Sequence, residues 1–209
     1  MNPKPEMLIK LEHPAGILIS GPSGSGKTKL VVDLIKSRSF EPMPSRIIWC
    51  YSLWQPLYDE LEASTPEIEF IKDVPADIAQ RLNPDRETLL VLDDQMTELG
   101  DSTLIKDLFT KYSSHRNTTV VYLVQNLFEG KSMKTVSRNA KYTIVFKSPR
   151  DKSQVVALAN QAYPKRVKAV VDAYEDATRE PYSYLLLDNQ QRTPDQYRIR
   201  NNQDQVYTV

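Results

Sequence analysis

The sequence predicts an α/β fold with a mostly parallel central sheet flanked by helices. Three observations lead there. Short, wholly apolar runs recur along the chain, as parallel strands buried on both faces require: ILI at 17–19, LLVL at 89–92 and VVYLV at 120–124. Segments with apolar residues at helical spacing separate many of these runs. A glycine-rich loop lies between the first run and the first such helix.

In chain order, residues 15–20 (AGILIS) read as a buried strand that ends at a glycine. Residues 28–38 follow as a helix, with Leu30, Val31, Leu34 and Ile35 on one face. Residues 46–51 (RIIWCY) predict a second strand, 56–63 a short helix, 67–71 a short strand and 76–82 a helical turn. Residues 88–94 (TLLVLDD) are a third buried strand. A helix is expected over 102–114, with Leu104, Ile105, Leu108 and Phe109 facing inward. The β-branched run 118–125 (TTVVYLVQ) is a fourth strand and 142–147 (YTIVFK) a fifth. Residues 151–163 and 166–177 read as two helices separated by Pro164, and 182–187 as a late strand. From 189 onward the chain is polar and Gln-rich, and is expected to be loose. The simplest division is one domain over 1–209, with its core at about 15–188 and a polar tail at 189–209.

The chain has 209 residues, 40% hydrophobic and 26% charged, a composition that sets it among globular rather than disordered proteins. No apolar run approaches the roughly 20 residues of a membrane span, so no membrane partner is expected. The stretch Met1-Asn2-Pro3-Lys4-Pro5 lacks the apolar core of a secretory signal. Cys50 is the single cysteine and cannot pair within the chain, which suits a reducing compartment; its apolar run marks it as core. With two histidines and one cysteine, no zinc site is expected. Net charge is zero, but residues 54–109 carry fourteen acids and four bases, while 130–168 carry ten bases and one acid, Asp151. Such asymmetry fits either an anionic partner such as nucleic acid or charge matching between copies of the chain.

Gly21, Pro22, Ser23, Gly24, Ser25, Gly26, Lys27 and Thr28 match the phosphate-loop pattern G-x-x-x-x-G-K-[ST] at every position. The glycines let several backbone N–H groups point at one anion, and the following helix adds its positive end. Lys27 is placed to reach the β- and γ-phosphates of ATP, and the Thr28 hydroxyl to ligate Mg²⁺. Asp93 and Asp94 end an apolar strand, where an α/β sheet presents its ligand side. Asp93 is the expected second Mg²⁺ residue and Asp94 the expected general base. Gln125, ending the next strand, is placed to sense the γ-phosphate or orient water. Two acids on one strand and an amide on the next suggest the ATPase branch with an extra strand between the phosphate-loop strand and the acidic strand. Arg116, Arg138 and Arg150 are candidates for an arginine delivered across a subunit boundary, with Arg116 favoured.

GPSGSGKT at 21–28, LLVLDD at 89–94, HRN followed by TTVVYLVQNLF over 115–128, VSRNAKYTIVFKSPRD at 136–151, LANQAYP at 158–164 and YLLLD at 184–188 act together. The set resembles the viral genome-packaging ATPases of the FtsK/HerA superfamily, in the form carried by Polinton/Maverick-type elements and adintovirus-like viruses. The poxvirus packaging ATPase is a more distant relative. The resemblance spans about 15–188, and the QNLF and FKSPRD segments are its most specific parts. It implies a P-loop NTPase with a RecA-like ASCE core and a homo-oligomeric ring, hexamer or pentamer, that drives double-stranded DNA into a capsid vertex at the expense of ATP. It further implies the host cell cytoplasm or nucleus, or the virion, as location. Lys27, Thr28, Asp93, Asp94 and Gln125 fall on the family's functional positions, and Arg116 where the superfamily keeps its finger. Asp94 departs from the glutamate of the cellular members. Lys131, Lys134, Arg138 and Lys141 are candidates to line the DNA channel through phosphate contacts, or to meet the acidic segment of a neighbouring subunit. A nucleotide kinase and an assembly protein with a structural nucleotide site are the competing readings.

Overall fold

The computed structural model describes residues 9–94 and 102–209. The stretch 1–5 read for a signal lies outside them, as does 95–101 of the acidic segment. The elements run β1 (Leu11–Glu12), β2 (Gly16–Ser20), α1 (Lys27–Lys36), β3 (Phe40–Glu41), β4 (Arg46–Tyr51), α2 (Pro56–Ser64), β5 (Ile68–Lys72), α3 (Ile78–Arg81) and β6 (Thr88–Asp93). There follow α4 (Thr103–Asp107), a π-helical turn (Leu108–Tyr112), α5 (Ser113–His115), β7 (Thr118–Val124), α6 (Met133–Asn139) and β8 (Tyr142–Phe146). The chain closes with α7 (Ser153–Ala162), α8 (Val167–Ala177), β9 (Tyr184–Asp188), a 3₁₀ turn (Asp195–Tyr197) and β10 (Ile199–Asn201).

Eight strands form one sheet in the order β10-β9-β8-β2-β7-β6-β4-β5. All pairs are parallel except those of β9, which runs against both β8 and β10. Every residue of β2, β6, β7 and β8 is buried. That explains their unbroken apolar character: each side chain, on either face, meets a helix layer. Leu18, Leu90 and Tyr122 point into one layer and Ile19, Val91 and Val121 into the other. Truncating Leu90, fully buried, to Ala would cost about 2–5 kcal/mol.

The strand that separates β2 from the acidic β6 is β7, as the acid-acid-amide pattern predicts. Three expectations are corrected. The helix expected over 102–114 is present from Thr103 to His115, but its middle turn, Leu108–Tyr112, is widened to a π-helix, with Ser113 Oγ just beyond it donating to the Phe109 carbonyl at 2.9 Å. The segment after the fourth strand holds a helix, α6, whose buried Met133 and Val136 are too few to show a clear period in the sequence. The tail expected to be loose is packed: β10 pairs with β9, and Tyr207 donates to Asp176 of α8 at 2.8 Å. Its polarity misled because those polar groups bond to one another, as when the Asn201 carboxamide oxygen accepts from the Gln203 and Gln205 backbone N–H groups.

Candidate nucleotide site at the carboxyl ends of the parallel strands

The loop between β2 and α1 closes on itself. The Ser25 N–H donates to the Pro22 carbonyl at 3.1 Å, and the Gly21 N–H donates to the Val124 carbonyl at 3.2 Å, tying the loop to the end of β7. Gly26 and Gly21 show why the loop needs glycine, for different reasons. Gly26, at the head of α1, has φ 103, a conformation L side chains rarely adopt. A Cβ on Gly21 would lie 2.7 Å from Phe146 Cβ and 2.7 Å from Ser25 Oγ. Among the described residues no side chain caps α1, which leaves its first N–H groups available to an anion.

Lys27 curls over the loop and donates to the carbonyls of Gly21 (2.7 Å) and Pro22 (3.0 Å). Burial lowers its pKa, and the charges of Asp93 and Asp94 oppose that shift. Asp93, only 4% exposed, accepts on one oxygen, Oδ2, from both the Thr28 hydroxyl (3.1 Å) and the Tyr58 hydroxyl (2.8 Å). Burial raises the Asp93 pKa; the bonds from Tyr58 and Thr28 and the charge of Lys27 pull the other way. Asp94 is exposed and sits at φ 56, where it accepts from Ser52 Oγ at 3.3 Å. Left-handed backbone at a non-glycine residue turns the Asp94 carboxylate away from the path of β6.

These groups share one cleft of ≈ 410 Å³, lined by the loop, Asp93, Asp94 and Gln125, with Gln55 and Leu57 on the α2 side. Sequence reasoning therefore names residues that the fold brings together across 98 positions, from Lys27 to Gln125. The polar end of β7 is braced from below: Gln154 Oε1 accepts from Ser20 Oγ (2.8 Å) and from the Leu127 N–H (3.3 Å).

The residues fit a phosphate chain with a divalent cation. Ser25 Oγ is buried and without a hydrogen-bond partner among the described residues, at the centre of the loop. Thr28 and Asp93 form the sparse hydroxyl-plus-carboxylate set that Mg²⁺ uses when a phosphate completes its shell. No cluster of three His, Cys, Asp or Glu residues able to hold a metal unaided occurs among the described residues.

Other candidates lie elsewhere. Arg116 precedes β7, a strand-length of roughly 20 Å from Gln125. Its guanidinium donates to the Leu82 carbonyl at 3.2 Å and stands 5.7 Å over the Tyr112 ring. Arg116 does not line the cleft of its own chain. Lys134 and Arg138 share an exposed face of α6, with exposed Lys131 in the turn before it. Lys141 is separated from them: it sits at the start of β8 with its ammonium on the Pro14 carbonyl at 2.7 Å. Arg150 is exposed in the loop after β8. Cys50 is buried, its thiol pKa raised to about 12 by burial, as befits a core residue. Tyr58 and Gln154 were not singled out by the sequence, because each acts through a residue more than thirty positions away.

The loop, the interposed β7 and the acid-tipped β6 define a P-loop NTPase fold with a RecA-like ASCE core. Solved structures agree. The genome packaging NTPase B204 from Sulfolobus turreted icosahedral virus 2, in complex with sulfate, superposes with a TM-score of 0.62 at 13% identity, covering 90% of this chain and 96% of that one. The same protein in complex with ATP-gammaS gives 0.60 at 16% identity, with the same coverage. The cytoplasmic domain of the type VII secretion ATPase EccC from Thermomonospora curvata gives 0.56 at 14% identity, covering 86% of this chain and 24% of that one. No family model and no curated protein matches the sequence. Among the described residues, no helix is long and apolar enough to cross a membrane.

Proposed function

We propose that this chain hydrolyses ATP and uses the energy to move double-stranded DNA into a viral capsid. The observation that carries the hydrolytic reading is the meeting of Thr28 and Asp93 at 3.1 Å, in a cleft shared with Lys27, Asp94 and Gln125. In this reading Thr28 and Asp93 hold Mg²⁺, which offsets phosphate charge. Lys27 exchanges its loop carbonyls for phosphate oxygens. Asp94 accepts a proton from the attacking water as its oxygen bonds to the γ-phosphorus and the bond to the β–γ bridging oxygen breaks. Gln125 orients that water. Asp93, acidic but desolvated, gains a positive partner when Mg²⁺ binds, which favours its ionised form.

The DNA-moving part rests on the likeness to B204, described as a DNA-packaging ATPase in the form from Sulfolobus turreted icosahedral virus, and on charge placement. Residues 54–94 of the acidic segment build α2, β5, α3 and β6 toward one flank of the sheet, while its remaining described residues build α4, which packs against α6. The basic segment builds α6, β8 and α7, with β2 and β7 between β8 and β6. Opposite charge on opposite flanks suits head-to-tail contact between copies, the interface type that closes rings. A hexamer or pentamer seated at a capsid vertex, in host cytoplasm or nucleus or in the virion, is the proposed assembly, and a Polinton- or adintovirus-like element the proposed source. Lys131, Lys134 and Arg138 are the proposed DNA-phosphate contacts, and Arg116 is the proposed finger in a neighbouring copy's site.

The test is ATP turnover with and without linear duplex DNA at low salt. Stimulation by DNA supports the motor; hydrolysis indifferent to DNA removes the translocation reading. Phosphate transfer to a nucleoside monophosphate would reassign the chain as a kinase, and binding without turnover as an assembly protein.

A further inference from the structure

Asp93, Asp94 and Gln125 stand at the ends of β6 and β7, all on one side of β2. On the other side stand β8 and then β9, and the turn into β9 carries Tyr182. Tyr182 is 71% exposed. Its backbone has φ 62, in the left-handed region that bulky side chains avoid. Such strain persists where surrounding structure enforces it, and it clusters at ligand sites. The ring lies against the phosphate loop: a Cβ on Gly26 would be 3.5 Å from Tyr182 Cδ1 and 3.5 Å from Phe146 Cε1. Phe146 is buried behind the loop, its ring 5.3 Å from that of Tyr184. Phe146 thus forms the wall, and Tyr182 offers an exposed aromatic face at the rim.

We propose that Tyr182 stacks on the base of the bound nucleotide. This rests on the ATP reading of the loop. For hydrolysis the γ-phosphate must face Asp94 and Gln125, so the phosphate chain crosses the loop from the β6–β7 side. The nucleoside then emerges on the β8–β9 side, where Tyr182 stands. A flat base with apolar faces matches an exposed ring, and stacking of this kind tolerates sequence but favours the larger purines.

The experiment measures affinity of the full chain for ATP, CTP and inorganic tripolyphosphate, each with Mg²⁺, in wild type, Tyr182→Ala and Tyr182→Phe. Tyr182→Ala is expected to weaken ATP about tenfold and to narrow the preference for ATP over CTP. Tyr182→Phe stays within about twofold of wild type, and tripolyphosphate binds all three alike. Unchanged ATP affinity in Tyr182→Ala overturns the proposal, and more so if solution mass changes, which assigns the ring to contact between copies. Parallel loss of ATP and tripolyphosphate also overturns it, by showing that Tyr182 only shapes the loop. A wild-type chain that binds neither ligand removes the nucleotide site itself, and with it this role. Binding of tripolyphosphate as tight as ATP keeps the phosphate site and removes the base contact.

Discussion

Lys27 and Lys141 make the same contact at opposite ends of the sheet. Lys27 donates to the carbonyls of Gly21 and Pro22, and Lys141 to the carbonyl of Pro14, with closest distances of 2.7 Å in both cases. Their surroundings separate them. Lys27 lines a cleft beside two carboxylates at the carboxyl ends of the strands. Lys141 lies at the amino ends, near the network in which His13 bonds to Thr119 at 2.8 Å and to Asn117 at 3.1 Å. In that network the strand starts bond to one another, whereas the strand tips around Lys27 converge on open space. A hydrogen bond alone therefore does not set one cation apart from the other; the end of the parallel sheet it occupies does.

Substitutions that divide the two ends make the contrast testable. The largest effect belongs to Lys27→Ala, expected to reduce ATP turnover by roughly a thousandfold or more with the melting temperature little changed. Turnover near wild type would abolish the distinction between the two lysines. Asp94→Asn comes next, with a loss of roughly a hundredfold in kcat if it serves as general base, and ATP affinity kept. A variant that loses affinity but not kcat would make Asp94 a binding residue instead. Tyr58→Phe sharpens the picture at one remove. Asp93 would keep its Thr28 bond and lose the 2.8 Å bond from Tyr58. The Mg²⁺ concentration for half-maximal turnover should rise about tenfold, as for other residues that orient a metal ligand; an unchanged Mg²⁺ titration would reduce Tyr58 to packing. The smallest effect is at the far end. Lys141→Ala should cost about 1–2 kcal/mol of stability in denaturant titration, by leaving the Pro14 carbonyl unpaired, with turnover per folded chain unaltered. A loss of DNA-stimulated turnover in that variant would return Lys141 to the proposed DNA contacts.

That Lys27, Thr28, Asp93, Asp94 and Gln125 converge on one cleft was legible in the sequence. Lys27 and Thr28 are identified by spacing because a phosphate loop must place backbone N–H groups, an ammonium and a hydroxyl at set offsets. Asp93, Asp94 and Gln125 follow from the end of each apolar run, since a buried strand reports its own termination. Tyr58 and Gln154 carry no such mark. A tyrosine in a short amphipathic helix and a glutamine near the start of another look ordinary until the sheet brings Asp93 and Ser20 within bonding distance. The basic run from Lys131 to Lys141 divides in the fold: Lys134 and Arg138 lie on the exposed face of α6, while Lys141, just past its end, is bonded to the Pro14 carbonyl at the amino ends of the strands. The tail misled for a related reason: polarity predicts solvent only when polar groups lack partners, and β10 finds them on β9.

The sequence by itself determined the α/β alternation, the phosphate loop and the acid-tipped strand, because each is a local pattern with a local physical cause. Only the tertiary structure decided the strand order beyond the interposed β7, the pairing of Tyr58 with Asp93, the far placement of Arg116 and Lys141, and the position of Tyr182 beside Gly26. Those depend on which strands become neighbours, and that choice is made by burial across the whole sheet rather than by any one segment.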